Sequence, residues 1–403
     1  MRRIVITGFG VCSSLGCVES DIVKSLKEGI SGISFSNEMK EYGLRSHVWG
    51  NISKNRFNEI PYRLLRFMNF SSMYSYIAMK DSISNSGLCK NIYMKNPRVG
   101  VIIGSGSSFI PIDSSFIKKK KYFYPVTPYS LIKSMPSSIS ACLGAFFEIY
   151  GINYSISSAC ATSAHCIGNA YELILSGKQD IIFAGGGEEL SLNLAHQFDV
   201  MRVLSVNFNQ QPNFSSRPFD NNRDGFVISG GSGVLVLEEL HCALSRKANI
   251  YGEIIGYGST CDGESVVHPS GDGFVRCMSE AIKNINGSVD YINAHGTSTK
   301  IGDIKELIAI KTVFQKYGIP YISSTKSISG HSLGASGAQE MIYIMLMLKY
   351  NFIAPSMNIE SLDPIAKNMN IVRNSTNYNI KIAMSNSFGF GGTNVSLVIK
   401  RYP

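Results

Sequence analysis

Residues 154–165 read YSISSACATSAH. A strand ends near Ile156, Ser157-Ser158-Ala159 makes a tight turn, and small residues from Ala161 open a helix that continues to Ser176, before Gly177. A strand running through a short turn into a helix is the repeating unit of an α/β sheet. Cys160 stands where that helix begins. A helix N-terminus offers free N–H groups and partial positive charge. Both lower a thiol's pKa, and the same N–H groups can hold a developing oxyanion. The expectation is a thiolate nucleophile; the alternative is a small buried core cysteine, the usual state of a free one.

Outward from this turn, short apolar runs alternate with helical stretches. Arg3–Thr7, Val99–Ile103, Asn153–Ile156, Ile181–Ala184 and Val234–Leu237 read as strands, followed by Tyr251–Gly256, Tyr291–Asn293, Ile382–Met384 and Asn394–Ile399. Such continuous apolar strands belong to a sheet covered on both faces. A second helix, Leu333–Tyr350 (LGASGAQEMIYIMLMLKY), repeats the pattern of Ala161–Ser176: small residues first, then bulky ones, apolar nearly all round and therefore buried. The two helices suggest an internal duplication with its boundary near 240–250. The segment 105–135, with aromatics, prolines and the run Lys118–Lys121, reads as a surface excursion or subunit contact.

Composition sets the limits. The chain has 403 residues, 44% hydrophobic and 17% charged, which is globular and long enough for a large core. The net charge of +9 could attract nucleic acid, an anionic membrane or an acidic protein. No helix-turn-helix, zinc-finger or RNA-binding aromatic signature accompanies it, so nucleic acid is not expected. Nine cysteines without a CxxC pair suggest reduced thiols and a cytosolic setting rather than a disulfide scaffold or zinc site. The N-terminal MRRIVITGFG lacks the apolar stretch of a signal peptide, and the longest strongly apolar run, Met341–Leu348, is far short of a bilayer span. An unprocessed, non-membrane protein is expected.

Three further segments carry chemistry. In DYINAHGTSTKIGD (290–303), His295 follows the carboxyl end of a strand, where α/β sheets bind ligands, with Thr297 and Thr299 on the same loop; a capped helix start would look the same. In SSTKSISGHSLGASG (323–337), Lys326 and His331 precede the second buried helix, and Glu306 is placed to pair with Lys326. In MSNSFGFGGTN (384–394), a strand runs into a glycine turn carrying Phe388 and Phe390. This is not a phosphate loop, and GGGEE at 185–189 is too short for a dinucleotide fingerprint.

Together the four segments resemble the β-ketoacyl-[acyl-carrier-protein] synthases of the thiolase-like fold. SSACATSAH, NAHGTST, TKSISGHSLGA and NSFGFGGTN stand in family order, and the similarity runs from VITGFG at the start to VSLVI at the end. RSHVWGN around Ser46, NPRVG around Val99 and AGGGEE around Glu188 bring it closer to the synthase I type than to synthase II. The Cys–His–His set differs from the Cys–His–Asn of the initiating type.

The resemblance implies an α/β, thiolase-like fold: two similar halves, 1–245 with the nucleophile and 246–403 with the histidines, forming a five-layered α-β-α-β-α core. It implies an acyltransferase of type II fatty acid synthesis, which condenses acyl-ACP with malonyl-ACP to 3-oxoacyl-ACP. Cys160 would take the acyl chain, with the backbone amides of Cys160 and Phe390 as oxyanion hole and Phe390 as gate. His295 and His331 would donate to the malonyl thioester oxygen, and Lys326 and Glu306 would order them. Thr297 and Thr299 would bind the phosphopantetheine arm, and Arg63 and Arg66 would dock the acidic carrier protein. The resemblance further implies a cytoplasmic homodimer with no metal and no other cofactor.

Other readings stay open. A thiolase shares the fold but wants a second catalytic cysteine in the C-terminal glycine loop, where FGFGGTN has none. A non-catalytic partner subunit would lack the nucleophile, and a binding protein could keep these residues as relics.

Overall fold

The computed structural model describes residues 2–107 and 128–403. Eleven strands form one sheet: β1 Ile4–Cys12, β2 Val99–Gly104, β3 Asn153–Tyr154, β4 Ile181–Glu188, β5 Gly231–Glu239, β6 Gly252–Cys261, β7 Tyr291–Asn293, β8 Tyr321–Ser323, β9 Asn370–Ile371, β10 Ile382–Gly389 and β11 Thr393–Lys400. The spatial order is β9-β8-β7-β10-β11-β6-β1-β5-β4-β2-β3. Within it one pattern occurs twice. β3-β2-β4-β5-β1 and β8-β7-β10-β11-β6 both run from parallel pairs at the outer edge to antiparallel pairs at the centre. The sets meet where Ile4–Ile6 pair antiparallel with Gly252–Ile254.

Six helices cover the strands: α1 Phe70–Ser86, α2 Ser138–Phe146, α3 Thr162–Leu175, α4 Asp272–Ile282, α5 Lys300–Phe314 and α6 Ser336–Tyr350. α1 and α2 pack on the first set of strands, and α4 with α5 covers the second. α3 touches β4, β2 and β5 on one side and β11 and β6 on the other; α6 touches β5, β4 and β10. The two small-residue helices therefore form the central layer of five, and the thiolase-like architecture follows.

Small residues make this layer possible. A Cβ on Gly337 would lie 2.8 Å from the Ala164 Cβ and 2.9 Å from its nitrogen, so α6 rests directly on α3. Ala338 donates its backbone N–H to Ser163 Oγ at 3.0 Å, satisfying one donor at the start of α6. Every residue from Ser336 to Leu348 is buried. At about 1.5–3 kcal/mol for each large aliphatic side chain removed from water, the Met341–Leu348 stretch anchors the core. β1 is buried along its whole length, as its IVITGFGVC sequence requires.

Each expected strand is present; β1, β4, β5, β6 and β10 run further than the apolar runs indicate, β3 stops at Tyr154 rather than Ile156, and β8 and β9 are strands that the sequence reading does not mark. Of the segment 105–135, residues 108–127, including Lys118–Lys121, lie outside the described residues. No helix among the described residues is long and apolar enough to cross a membrane.

Candidate active site

Four chain segments converge on one cavity of about 330 Å³ whose apolar wall includes Phe198, Val203, Phe226, Phe274 and Phe388. Cys160, His295 and His331 line it, and their donor atoms lie within 4.8 Å of one another. His331 Nε2 is 3.0 Å from Cys160 Sγ. The His295 and His331 rings stand edge to face, 5.3 Å apart.

Cys160 sits on a 3-10 turn, Ala159–Ala161, which leads into α3. Ala159 takes φ of +49°, an unusual conformation for an L-residue that lifts the next side chain into the cavity. Thr162 Oγ1 ties the turn, accepting from the Ser158 N–H at 2.8 Å and donating to the Ala159 carbonyl at 2.8 Å. The thiol is not the thiolate that its place at a helix start suggests. Burial pushes its pKa up to about 12, with Glu188 adding to the rise. Lys326 and the backbone N–H groups of Phe390 and Cys160 pull the other way and do not prevail. Desolvation thus outweighs the helix terminus, and the thiol needs a base.

Both histidines have pKa values well below the usual imidazole value, because burial disfavours the cation and Lys326 repels it. They are neutral rings, able to accept a proton on one nitrogen and donate from the other. Lys326 is buried and pairs with Glu340 on α6. The expected partner, Glu306, is elsewhere occupied: its carboxylate accepts the backbone N–H groups of His295 and Gly296, both at 2.8 Å, and the Asn386 amide at 3.1 Å. Glu306 therefore holds the His295 loop through its backbone. Burial lifts its pKa to about 7, and the Glu340 pKa likewise.

Thr297 and Thr299 line the cavity with hydroxyls 3.0 Å apart. Their loop is held by a residue the sequence reading passed over. Arg223, 2% exposed, donates to the Thr299 and Lys300 carbonyls at 3.0 and 2.9 Å and pairs with Asp363 and the fully buried Asp303. Phe390 stands at the rim, 36% exposed, between Gly389 and two glycines at φ of +85° and +73°, a path that side chains would strain. Arg63 and Arg66 are exposed and apart from the cavity; Arg66 lies over the rings of Phe67 and Tyr129.

Two more residues went unread. Glu188, fully buried, accepts from Ser105 Oγ, Ser107 Oγ and the backbone N–H groups of Gly106 and Gly334 at 2.6–2.9 Å. It joins the turn before α6 to the end of β2. His165 on α3 bonds Ser158 Oγ at 2.8 Å and Ser259 Oγ at 2.9 Å, bracing the Cys160 turn. AGGGEE and SSACATSAH contain both residues, but nothing in either motif states what its side chain reaches.

The geometry has counterparts. Residues 1–243 match the family described as Beta-ketoacyl synthase, N-terminal domain, and residues 251–360 match Beta-ketoacyl synthase, C-terminal domain. The chain is 61% identical, over the full length of both, to the 3-oxoacyl-[acyl-carrier-protein] synthase 1 of Buchnera aphidicola subsp. Baizongia pistaciae. A solved β-ketoacyl synthase from Burkholderia phymatum superposes with a TM-score of 0.92 at 33% identity, covering all of both chains. A type II PKS ketosynthase, solved with its acyl-carrier protein and bound to the hexaketide, superposes at 0.89 with 27% identity, again over both whole chains. With a half-buried thiol facing two neutral histidines on a duplicated five-layer scaffold, and family matches on both halves, this chain belongs to the β-ketoacyl synthases.

Proposed function

We propose that the chain carries out decarboxylative Claisen condensation of acyl-ACP with malonyl-ACP, the elongation step of type II fatty acid synthesis. The 3.0 Å contact between His331 Nε2 and the Cys160 thiol carries the reading. A thiol with a pKa near 12 is inert alone, and here it has a neutral base in hydrogen-bond reach.

In the loading half, Cys160 gives its proton to His331 and attacks the acyl thioester. The backbone N–H groups of Cys160 and Phe390, which face the sulfur, stabilise the oxyanion, and the carrier's pantetheine thiol leaves with the proton. In the condensing half, N–H groups of His295 and His331 hold the malonyl thioester oxygen as carbon dioxide departs. Neutral rings donate there without quenching the carbanion. The carbanion attacks the Cys160 thioester, the C–S bond breaks, 3-oxoacyl-ACP forms, and the released Cys160 thiolate takes a proton from solvent. Glu306 and Lys326 hold the donors in place. Thr297 and Thr299 bind the pantetheine arm and Phe390 gates the chain. The apolar wall suits an acyl chain. The chemistry calls for no metal or other cofactor.

The acidic carrier docks at exposed Arg63 and Arg66, consistent with the net charge of +9. The enzyme works as a homodimer in the cytoplasm. Incubation with acyl-ACP and then malonyl-ACP, read by intact mass, tests the whole scheme. An acyl adduct on wild type, absent from Cys160→Ala and followed by a 3-oxoacyl product, is expected. A folded protein that takes no acyl group of any length overturns it.

A further inference from the structure

We propose that Cys12 and Cys17 are a peroxide-oxidisable thiol pair: the Cys17 thiolate attacks a hydroperoxide, and Cys12 closes the product into a reversible disulfide. Neither residue lines the Cys160 cavity, and the inference does not rest on the chemistry read there.

The geometry comes from a tight hairpin at the end of β1. Ser13 and Gly16 exchange both of their backbone hydrogen bonds, each 3.0 Å, around the turn Ser14-Leu15. Gly16 takes φ of +112°, a conformation that favours glycine. The residues flanking such a doubly bonded pair face each other with no backbone bond between them. Their Cα atoms stand about 4.5 Å apart and their side chains share one face. A disulfide spans Cα separations of about 4.4–6.8 Å. Cys12 and Cys17 are that flanking pair. Both side chains enter one apolar cluster, with Ile52, Ile60 and Met68, and the two thiols share a hydrogen bond. The hairpin is fixed from behind. Ser14 Oγ donates to the Ser329 carbonyl at 2.7 Å, and the Cys12 carbonyl accepts from the Gln339 amide at 3.0 Å. The sulfurs are therefore held within reach of each other, and closing the bond asks for no backbone movement.

The two thiols are unequal. Cys12 is 1% exposed, whereas Cys17 is half-buried and open to solvent. The hydrogen bond from Cys12 favours a thiolate on Cys17, and the Arg56 guanidinium adds to it; together they prevail over burial and Asp81, so Cys17 falls below the ordinary thiol value. The same bond, with burial, pushes Cys12 well above that value. Cys17 is thus the attacking sulfur and Cys12 the resolving one. In the first step a Cys17 S–O bond forms, the O–O bond of the hydroperoxide breaks, and the departing oxygen takes up a proton and leaves as water or an alcohol. Cys17 is then a sulfenic acid. The Cys12 sulfur attacks the Cys17 sulfur, the S–O bond breaks, and hydroxide leaves as water with the Cys12 proton. With hydrogen peroxide, two thiols and one oxidant give one disulfide and two waters. A dithiol restores both thiols by exchange.

Both cysteines fall in one tryptic peptide, residues 4–24, between the cuts after Arg3 and Lys24. The whole chain is treated with hydrogen peroxide, blocked with N-ethylmaleimide in denaturant, and digested without reduction. The peptide is expected to appear unlabelled and two hydrogens lighter, and dithiothreitol added before blocking should restore both labels. It should close a few-fold sooner than the exposed Cys89 and Cys261 lose their labels. Cys12→Ser leaves Cys17 without its resolving partner, and a sulfenic acid trapped by dimedone should collect at Cys17. In Cys17→Ser, Cys12 should keep its label at the same peroxide concentration. The proposal is overturned if residues 4–24 keep both labels after Cys89 and Cys261 are consumed, or if either cysteine bonds to a different one. It also fails if dimedone marks Cys17→Ser rather than Cys12→Ser. The test reads the same whether or not the protein takes an acyl group.

Discussion

Ala159–Ala161 and Leu333–Ala335 are both 3-10 turns, each opens on a non-glycine residue at φ of +49°, and each hands the chain to a buried central helix. The first carries Cys160 at its middle position and the second Gly334. The Cys160 side chain enters the cavity, whereas a Cβ at Gly334 would lie 2.2 Å from the Gly106 nitrogen and 2.7 Å from Glu188 Oε2. The next helical positions differ as well. Thr162 closes its own turn, and Ser336 reaches instead to the His331 ring. The strained backbone, worth about 1–3 kcal/mol per residue, is kept in both halves. One copy uses it to present the Cys160 thiol, and the other to seat the Glu188 carboxylate and lead to the hydroxyl that meets the His331 ring. Scaffold strain and chemistry are thus separable in this molecule.

The sharpest way to break that separation is at the nucleophile. Cys160→Ala should lower condensation by about 10³-fold or more, while malonyl-ACP decarboxylation, which uses the histidines, persists in a carbon dioxide release assay. Loss of both together would mean that the two turns do not divide the work. Gly334→Ala should act on the fold: about 1–3 kcal/mol of stability lost by overpacking, read as a lower Tm. An unchanged Tm would show that Glu188 and Gly106 yield without cost.

The charge between the two turns gives a pH test. Burial, and after it Lys326, disfavours the imidazolium of His331, so the acid limb of single-turnover loading should lie well below pH 6.5. In Lys326→Met that repulsion is gone, and the limb should move up while burial still holds it below 6.5. A wild-type limb already at 6.5 contradicts both burial and the lysine's effect. The smallest change expected is at the rim: Arg63→Ala and Arg66→Ala should each raise the KM for acyl-ACP a few-fold, leave kcat alone, and lose their effect at high salt.

Much of this was legible along the chain. Continuous apolar runs marked the buried strands, and the alternation of small and bulky residues marked both central helices. Four local motifs located Cys160, His295, Lys326, His331 and Phe390, because each lies where a strand or turn delivers it. What escaped was contact across long separations. Glu188 meets Gly334 over 146 residues, and Arg223 reaches the Thr299 loop over 76. Lys326 pairs with Glu340 because Glu306 is taken up by the His295 and Gly296 N–H groups, and Glu340 went unseen because it lies in a helix that reads as apolar. A pairing so buried is costly to break from one side, at about 3–5 kcal/mol. The thiol's high pKa escaped for a related reason: a helix start is visible in sequence, but the depth of its burial is not.

β1 joins the two sets of strands. Its residues pair with Ser232–Glu239 on one side and Gly252–Ile254 on the other. β1 therefore has no partner strand in its sheet until some 230 residues later, on the order of ten to fifty seconds at ordinary synthesis rates. Contacts of such long range also close slowly. For that interval nine residues that end wholly buried, IVITGFGVC, travel with unpaired edges. The nascent chain then depends on whatever shields that strand until β5 arrives.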